Sequence, residues 1–295
     1  MRFEGILPAV TTPFDRDGAV DHDGLRDNAR WLLGAGVHGL VGTGTMGEAG
    51  SLDRAERRAV VATLVQEAAG AVPVVAGVSS GTPATSIAFA ADAAAEGADA
   101  IMLLPPLGYR GDDAEIEAFY RSVAAATELP VMAYNNPDAS GTDMAPALVA
   151  ALAGIDGVVA VKECSGDVRR IAAILQATDG TLQVLVGGDD WALEGLAAGA
   201  TGWVSGVAVV APALCVELWE RCRADELEAA RAIYRRLLPL ARFDMTPKLV
   251  QYFKAGVDEA GHAGGPCRPP RGSLRDEEHA ALREALRLLH AEVAA

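Results

Sequence analysis

Gly157-Val158-Val159-Ala160-Val161-Lys162, then Asp167–Thr178, then Gln183-Val184-Leu185-Val186: this stretch sets the fold. Both flanking runs are continuously apolar rather than alternating, the pattern of parallel strands covered on both faces. The segment between them opens on an Asp and carries an amphipathic helical period. A strand, a helical crossover and a second strand make one β/α unit. The same unit recurs outward in both directions. Strand candidates are Ile6–Val10, Gly39–Val41, Val72–Ala76, Ala100–Leu104, Val131–Tyr134, Val158–Val161, Gln183–Val186 and Gly202–Val204. Helical patterns lie between them at Asp21–Leu33, Asp53–Ala68, Thr82–Glu96, Asp112–Thr127, Asp143–Leu152, Asp167–Thr178 and Asp190–Ala198. Several stop at a glycine, as at Gly34, Gly97 and Gly199.

Eight strands joined by helical crossovers predict an α/β fold of the (β/α)8 TIM-barrel type, which takes about 250 residues; a doubly wound open sheet is the alternative. The chain has 295 residues. The remainder reads as helices at Asp225–Leu240, Pro247–Ala255 and Leu274–Ala294, with a Gly/Pro-rich turn region before the last. The expectation is a catalytic barrel over residues 1–224 and a C-terminal helical extension over 225–295 packed on it.

Composition narrows the function. Half the residues are apolar (51%), so a sizeable core can form, yet only 5% are aromatic, so it must be built from small aliphatic side chains. Forty acids against 25 bases leave a net charge of −15. Such a surface has no general attraction for phosphate backbones or anionic lipid, which argues against nucleic-acid and membrane partners. The longest apolar stretch, Trp203–Leu218, is interrupted by Ser205, Gly206 and Pro212 and falls short of a membrane span. Four scattered cysteines without a CxxC pair read as reduced thiols, and the N-terminal segment lacks a signal-peptide pattern; a cytoplasmic location is expected.

Gly42-Thr43-Gly44-Thr45-Met46-Gly47 matches G-x-G-x-x-G after a strand. The context of a dinucleotide site fails. Glu48-Ala49-Gly50 separates the last glycine from the helix, and the next strand ends in Gly77-Val78-Ser79-Ser80 without an acid for a ribose. A loop of free backbone N–H groups at a strand end suits a smaller anion, such as a carboxylate.

Lys162 ends its strand, and strand C-termini form the active-site mouth of such a barrel. Desolvation there is expected to lower its pKa; a fall from about 10.4 to about 7.4 costs roughly 4 kcal/mol and makes the neutral, nucleophilic amine abundant. The amine can then form a Schiff base with a ketone. The bland alternative is a salt bridge from Lys162 to Glu163 or Asp189. Tyr134 also ends a strand, as a packed aromatic or as a proton shuttle beside an amine nucleophile. Five dispersed histidines, without HxH or HExxH, argue against zinc-type metal catalysis.

With these residues in place, the chain resembles the dihydrodipicolinate synthase / N-acetylneuraminate lyase family of Schiff-base-forming barrels. The likeness runs from about Phe3 to Pro270. It is carried by Pro8-Ala9-Val10-Thr11-Thr12-Pro13-Phe14, Gly44-Thr45-Met46-Gly47-Glu48, Tyr134-Asn135-Asn136-Pro137, Val161-Lys162-Glu163 and Gly187-Gly188-Asp189-Asp190. The resemblance implies that Lys162 is the Schiff-base lysine and Tyr134 the proton shuttle. It implies that the Thr45 hydroxyl and the Thr45 and Met46 N–H groups hold a 2-oxo acid carboxylate, with Gly44 and Gly47 letting the backbone approach it. Gly188 and Val204 join Gly44 and Met46 as expected substrate-binding positions, and Asp190 and Ser205 are expected to bind substrate hydroxyls. The family implies no metal, no organic cofactor, and a homotetramer or dimer.

Three departures bear on the reaction. Ala139 stands where true synthases carry an arginine for the second substrate's carboxylate. Met46 replaces the second threonine, and Gly108 the relay tyrosine, with Tyr109 one residue late. The expected function is therefore a class I lyase, aldolase or dehydratase, acting on pyruvate or a deoxy 2-oxo sugar acid through Lys162. The alternatives are the 4-hydroxy-tetrahydrodipicolinate synthase reaction, deamination of a hydroxypyrroline carboxylate, and a barrel that binds metabolites without turnover.

Overall fold

The computed structural model describes residues 2–289. Eight strands, β1 Gly5–Pro8, β2 Leu40–Gly42, β3 Val74–Gly77, β4 Ala100–Leu103, β5 Val131–Asn135, β6 Val158–Glu163, β7 Gln183–Val186 and β8 Gly202–Ser205, are all parallel. Sequential strands neighbour one another from β2 to β8, and β8 returns to pair with β1. A parallel bridge between Ala9 and Val41, with Val10 N–H donating to the Val41 carbonyl at 2.9 Å, draws the last edge together. The result is the TIM barrel that the periodicity predicts. Each strand is buried almost throughout, as continuous Val, Ile, Leu and Ala runs require.

The intervening helices are α1 His22–Gly34, α2 Arg54–Ala68, α3 Pro83–Ala95, α4 Asp113–Ala124, α5 Pro137–Ser140, α6 Pro146–Ala153, α7 Arg169–Ala177, α8 Ala192–Ala197 and α9 Pro212–Arg223. Asp21, Asp53, Thr82 and Asp112 are their N-caps rather than helical residues, each accepting a backbone N–H from the first turn. Asp143 is not a cap. The helix expected from it begins at Pro146, and the Asp143 carboxylate instead grips Arg170.

The eighth crossover helix, α9, escaped the sequence reading, which took Pro212 as an interruption. Proline suits the first helical position, where its missing N–H costs nothing. Cys215, Leu218 and Trp219 then bury one face at helical spacing.

The extension comprises α10 Leu227–Ala241, a 3₁₀ turn at Arg242–Met245, α11 Leu249–Glu259 and α12 Asp276–Leu289. The boundary expected at 224/225 falls in the turn between α9 and α10, but the hydrophobic core crosses it unbroken through Ala230, Ile233, Leu237 and Phe253. Residues 290–294 of the expected last helix lie outside the described residues. Among the described residues no helix is long and apolar enough to cross a membrane.

Candidate active site

Strand β6 ends Val161-Lys162-Glu163 because the barrel wall ends there: the apolar run stays in the core and Lys162 reaches the rim. Parallel pairing sets Lys162 directly beside Tyr134 of β5. The Lys162 ammonium sits over the Tyr134 ring, 4.2 Å from its centroid, and both side chains are buried. Asn136, the N-cap of α5, donates from Nδ2 to the Tyr134 hydroxyl at 2.9 Å and contacts Cys164 Sγ. That bond fixes the phenol and leaves its own proton free to be given away.

The salt-bridge alternative for Lys162 fails on geometry. Glu163 turns away, accepting from Asn135 Nδ2 at 2.9 Å and the Ser165 N–H at 2.7 Å. Asp189 is occupied by Trp203 Nε1, Ser205 Oγ and the N–H groups of Gly206 and Val207.

Opposite Lys162 lies the loop after β2. Thr43 takes positive φ (51°) and its hydroxyl donates to the Gly77 carbonyl at 3.0 Å. A β-carbon on Gly77 would stand 2.5 Å from the Thr43 carbonyl oxygen, so glycine is required there. Gly47 also packs closely, a β-carbon there standing 3.2 Å from the Val10 carbonyl oxygen and the Thr43 nitrogen, and it lines the cavity beside Thr45 and Met46. The Thr12 hydroxyl donates to the Gly47 carbonyl at 2.8 Å. Arg57, reaching from α2, donates to the carbonyls of Ala49 and Gly77. Burial lowers its pKa to about 10, leaving it charged near neutrality. Among the described residues the N–H groups of Thr45 and Met46 have no protein acceptor. Both residues line the ligand space.

These elements enclose a cavity of about 410 Å³, lined by Thr45, Met46, Tyr134, Lys162, Cys164 and Asp244 among others. Gly44, Thr45, Met46, Tyr134 and Lys162 come together as expected, and Ala139 lies in the same wall. Four expected positions do not reach it. Gly188 is one residue too far along β7, with Trp191 Nε1 packed 2.2 Å from where its β-carbon would stand; Gly187 lines the cavity instead. Val204 is wholly buried, and the Ser205 hydroxyl is spent on Asp189, so β8 contributes Gly206. Asp190 is half-buried behind the rim and its Oδ1 has no partner. The relay role cannot pass to Tyr109 within this chain's own cavity: it is 54% exposed and bonded to Glu115.

The sequence reading missed Asp244. It sits in the 3₁₀ turn after α10 and lines the roof with Met245, Thr246, Pro247 and Leu249. Nothing local marks it. It also changes the charge state expected for Lys162. Burial acts to lower the Lys162 pKa, but Tyr134, Cys164 and Asp244 outweigh it and hold the amine above the ordinary lysine range. Burial pushes the Tyr134 phenol and the Cys164 thiol up to about 12 each, so both are neutral at pH 7. Asp244, raised by burial to about 6 despite the facing Lys162, is the counter-charge there. The Lys162 pKa is thus shifted upward, not downward as burial alone would shift it.

Among the described residues no cluster of three or more His, Cys, Asp or Glu could hold a metal ion. The family model of the dihydrodipicolinate synthetase family matches residues 2–289. A 4-hydroxy-tetrahydrodipicolinate synthase of Methanothrix thermoacetophila is 38% identical over 96% of this chain and 96% of that one. An uncharacterized DapA-like lyase of Halobacterium salinarum is 37% identical over 94% of this chain and 91% of its own length. Among solved structures, a putative dihydrodipicolinate synthetase from Pseudomonas aeruginosa superposes with a TM-score of 0.94 at 34% identity, covering 98% of this chain and all (100%) of that one. With barrel, lysine, tyrosine and the Thr45 loop in one cavity, and a match along the whole described chain, this protein belongs to the dihydrodipicolinate synthetase family, whose relatives here are lyases.

Proposed function

We propose that this chain forms a Schiff base between Lys162 and C2 of pyruvate or a longer 2-oxo acid, without metal or organic cofactor. One observation carries the reading: the Lys162 amine lies 4.2 Å from the Tyr134 ring centre in a cavity that Thr45 and Met46 also line. The Thr45 and Met46 N–H groups and the Thr45 hydroxyl bind the C1 carboxylate. The C2 carbonyl is thereby held near Lys162. An ammonium and a ketone give a protonated imine and one water, so the step needs no net proton from solvent. It does need protons moved within the site, from nitrogen to the departing oxygen. The Tyr134 hydroxyl, oriented by Asn136, does this. The imine then accepts the electron pair left when a C3 proton departs, and the enamine is the nucleophile for carbon–carbon bond formation.

Relatives named 4-hydroxy-tetrahydrodipicolinate synthase favour condensation of that enamine with an aldehyde over cleavage or dehydration of a sugar acid. The second reading keeps one specific support: Ala139 occupies the wall where an arginine would meet a second carboxylate. Exposed Leu107 and Tyr109, close together after β4, fit the expected dimer or tetramer.

Borohydride reduction in the presence of pyruvate tests the reading. A stable adduct is expected on the peptide carrying Lys162 and none on Lys162→Ala; unmodified Lys162 in the wild type refutes it.

A further inference from the structure

Beyond the imine, the cavity's charge constrains the rest of the substrate. Its lining holds one cation, Lys162, and two carboxylates, Asp138 and Asp244; among the described residues no arginine lines it. Asp244 is half-buried and lines the cavity. Its Oδ2 accepts the Asp189 N–H at 3.1 Å, which aims the carboxylate. Its Oδ1 has no protein hydrogen-bond partner among the described residues. That oxygen lies beside Gly206, 3.4 Å from where a β-carbon would stand, so the space next to it is kept clear by the absence of a side chain. A carboxylate oxygen without a protein partner, on a residue that lines a ligand space, accepts from a donor placed there, and a second anion placed against it is repelled.

We propose that Asp244 is a specificity-determining residue: it accepts a hydrogen bond from a hydroxyl or ammonium on the far part of the substrate and repels a carboxylate there. This rests on the imine reading, because that reading places the near end of the substrate at Lys162 and Thr45. The chemistry fits either a hydroxylated 2-oxo acid or an aldehyde partner that carries an amine. Its opposite is a 2-oxo acid whose far end is only anionic.

Half-saturation of borohydride trapping is measured for three 2-oxo acids of similar length, ending in a hydroxyl, an amine and a carboxylate, with pyruvate as reference. The wild type is expected to need about tenfold more of the dicarboxylate than of the better donor-bearing acid; the first two arms tell hydroxyl from ammonium. Asp244→Asn keeps an oxygen for the Asp189 N–H and removes the charge. It is expected to narrow the ratio about fivefold or more, through tighter capture of the dicarboxylate. Ala139→Arg, on the exposed side of α5, is expected to shift preference toward the dicarboxylate with Asp244 intact. Should Asp244→Asn fail to fold, the wild-type ratio and Ala139→Arg decide. Equal capture of all three acids by the wild type, or an unchanged ratio in Asp244→Asn, overturns the proposal while pyruvate trapping stands. Loss of pyruvate trapping in the wild type overturns the imine reading, and this proposal with it.

Discussion

Lys254→Met should uncouple the carboxylate loop from the helical extension that braces it. Lys254 is 1% exposed and Glu48, its ion-pair partner, is 0% exposed. The ammonium donates to Glu48 Oε1 at 2.9 Å, the Thr12 carbonyl at 2.8 Å and the Pro266 carbonyl at 2.6 Å. One side chain of α11 therefore ties together the loop after β2, the segment after β1 and the turn before α12. Removing one member of a buried pair strands the other charge, at a cost of about 3–5 kcal/mol. The Arg268 N–H, 3.0 Å from Glu48 Oε2, and Arg271 soften that cost without replacing the ammonium. Adding Glu48→Gln removes the stranded charge, so the double variant should lose about 1–3 kcal/mol less than the sum of the singles. Urea unfolding followed by circular dichroism measures all four proteins. The same change loosens Thr12 and Glu48, which flank Gly47, and so misplaces the Thr45 and Met46 donors. Half-saturation by pyruvate in the trapping assay should rise about tenfold, since an error on the order of 1 Å costs up to about 100-fold. A single variant within about 1 kcal/mol of wild type, or strict additivity in the cycle, refutes the argument.

Tyr134→Phe keeps the ring under Lys162 but removes the shuttling hydroxyl. Its trapping rate should fall about 10²–10⁴-fold with half-saturation nearly unchanged, measured by quenching with borohydride at timed intervals. The selectivity against a dicarboxylate should also depend on pH. Burial raises the Asp244 pKa to about 6, facing Lys162 and the Asp189 N–H, which lower it, and Asp190, which raises it further. Tyr134 and Cys164, also within its field, are neutral in this range. Asp244 is therefore anionic above that value and neutral below it. Discrimination should be complete above about pH 7 and fade as pH falls through about 6; a ratio constant across that interval would contradict the assignment.

Much of this site was legible in the chain because its parts are short and local. Lys162 and Tyr134 each end an apolar run, and a strand end is a place on the barrel rim whatever lies around it. Helix starts were legible to within a residue for the same reason: Asp53 and Asp112 bond within one helical turn. Helix α9 was hidden because Pro212 looks alike as a breaker and as a first helical residue, and only the packing of Trp219 and Cys215 distinguishes them. At the ends of β7 and β8 the strands were legible, but the choice between Gly187 and Gly188, or Gly206 and Ser205, depends on which side of the strand faces inward. A slip of one residue reverses that.

Taken alone, the sequence determined the barrel and put Lys162, Tyr134 and the Thr45 loop at its mouth, since hydrophobic period and contiguous motifs carry them. Tertiary structure alone decided that Asp244 shares the cavity with Lys162, that Glu163 and Asp189 serve other partners, and that Lys254 braces Glu48. Electrostatic fields act through space: a carboxylate far away along the chain has its effect only once the extension folds over the barrel mouth.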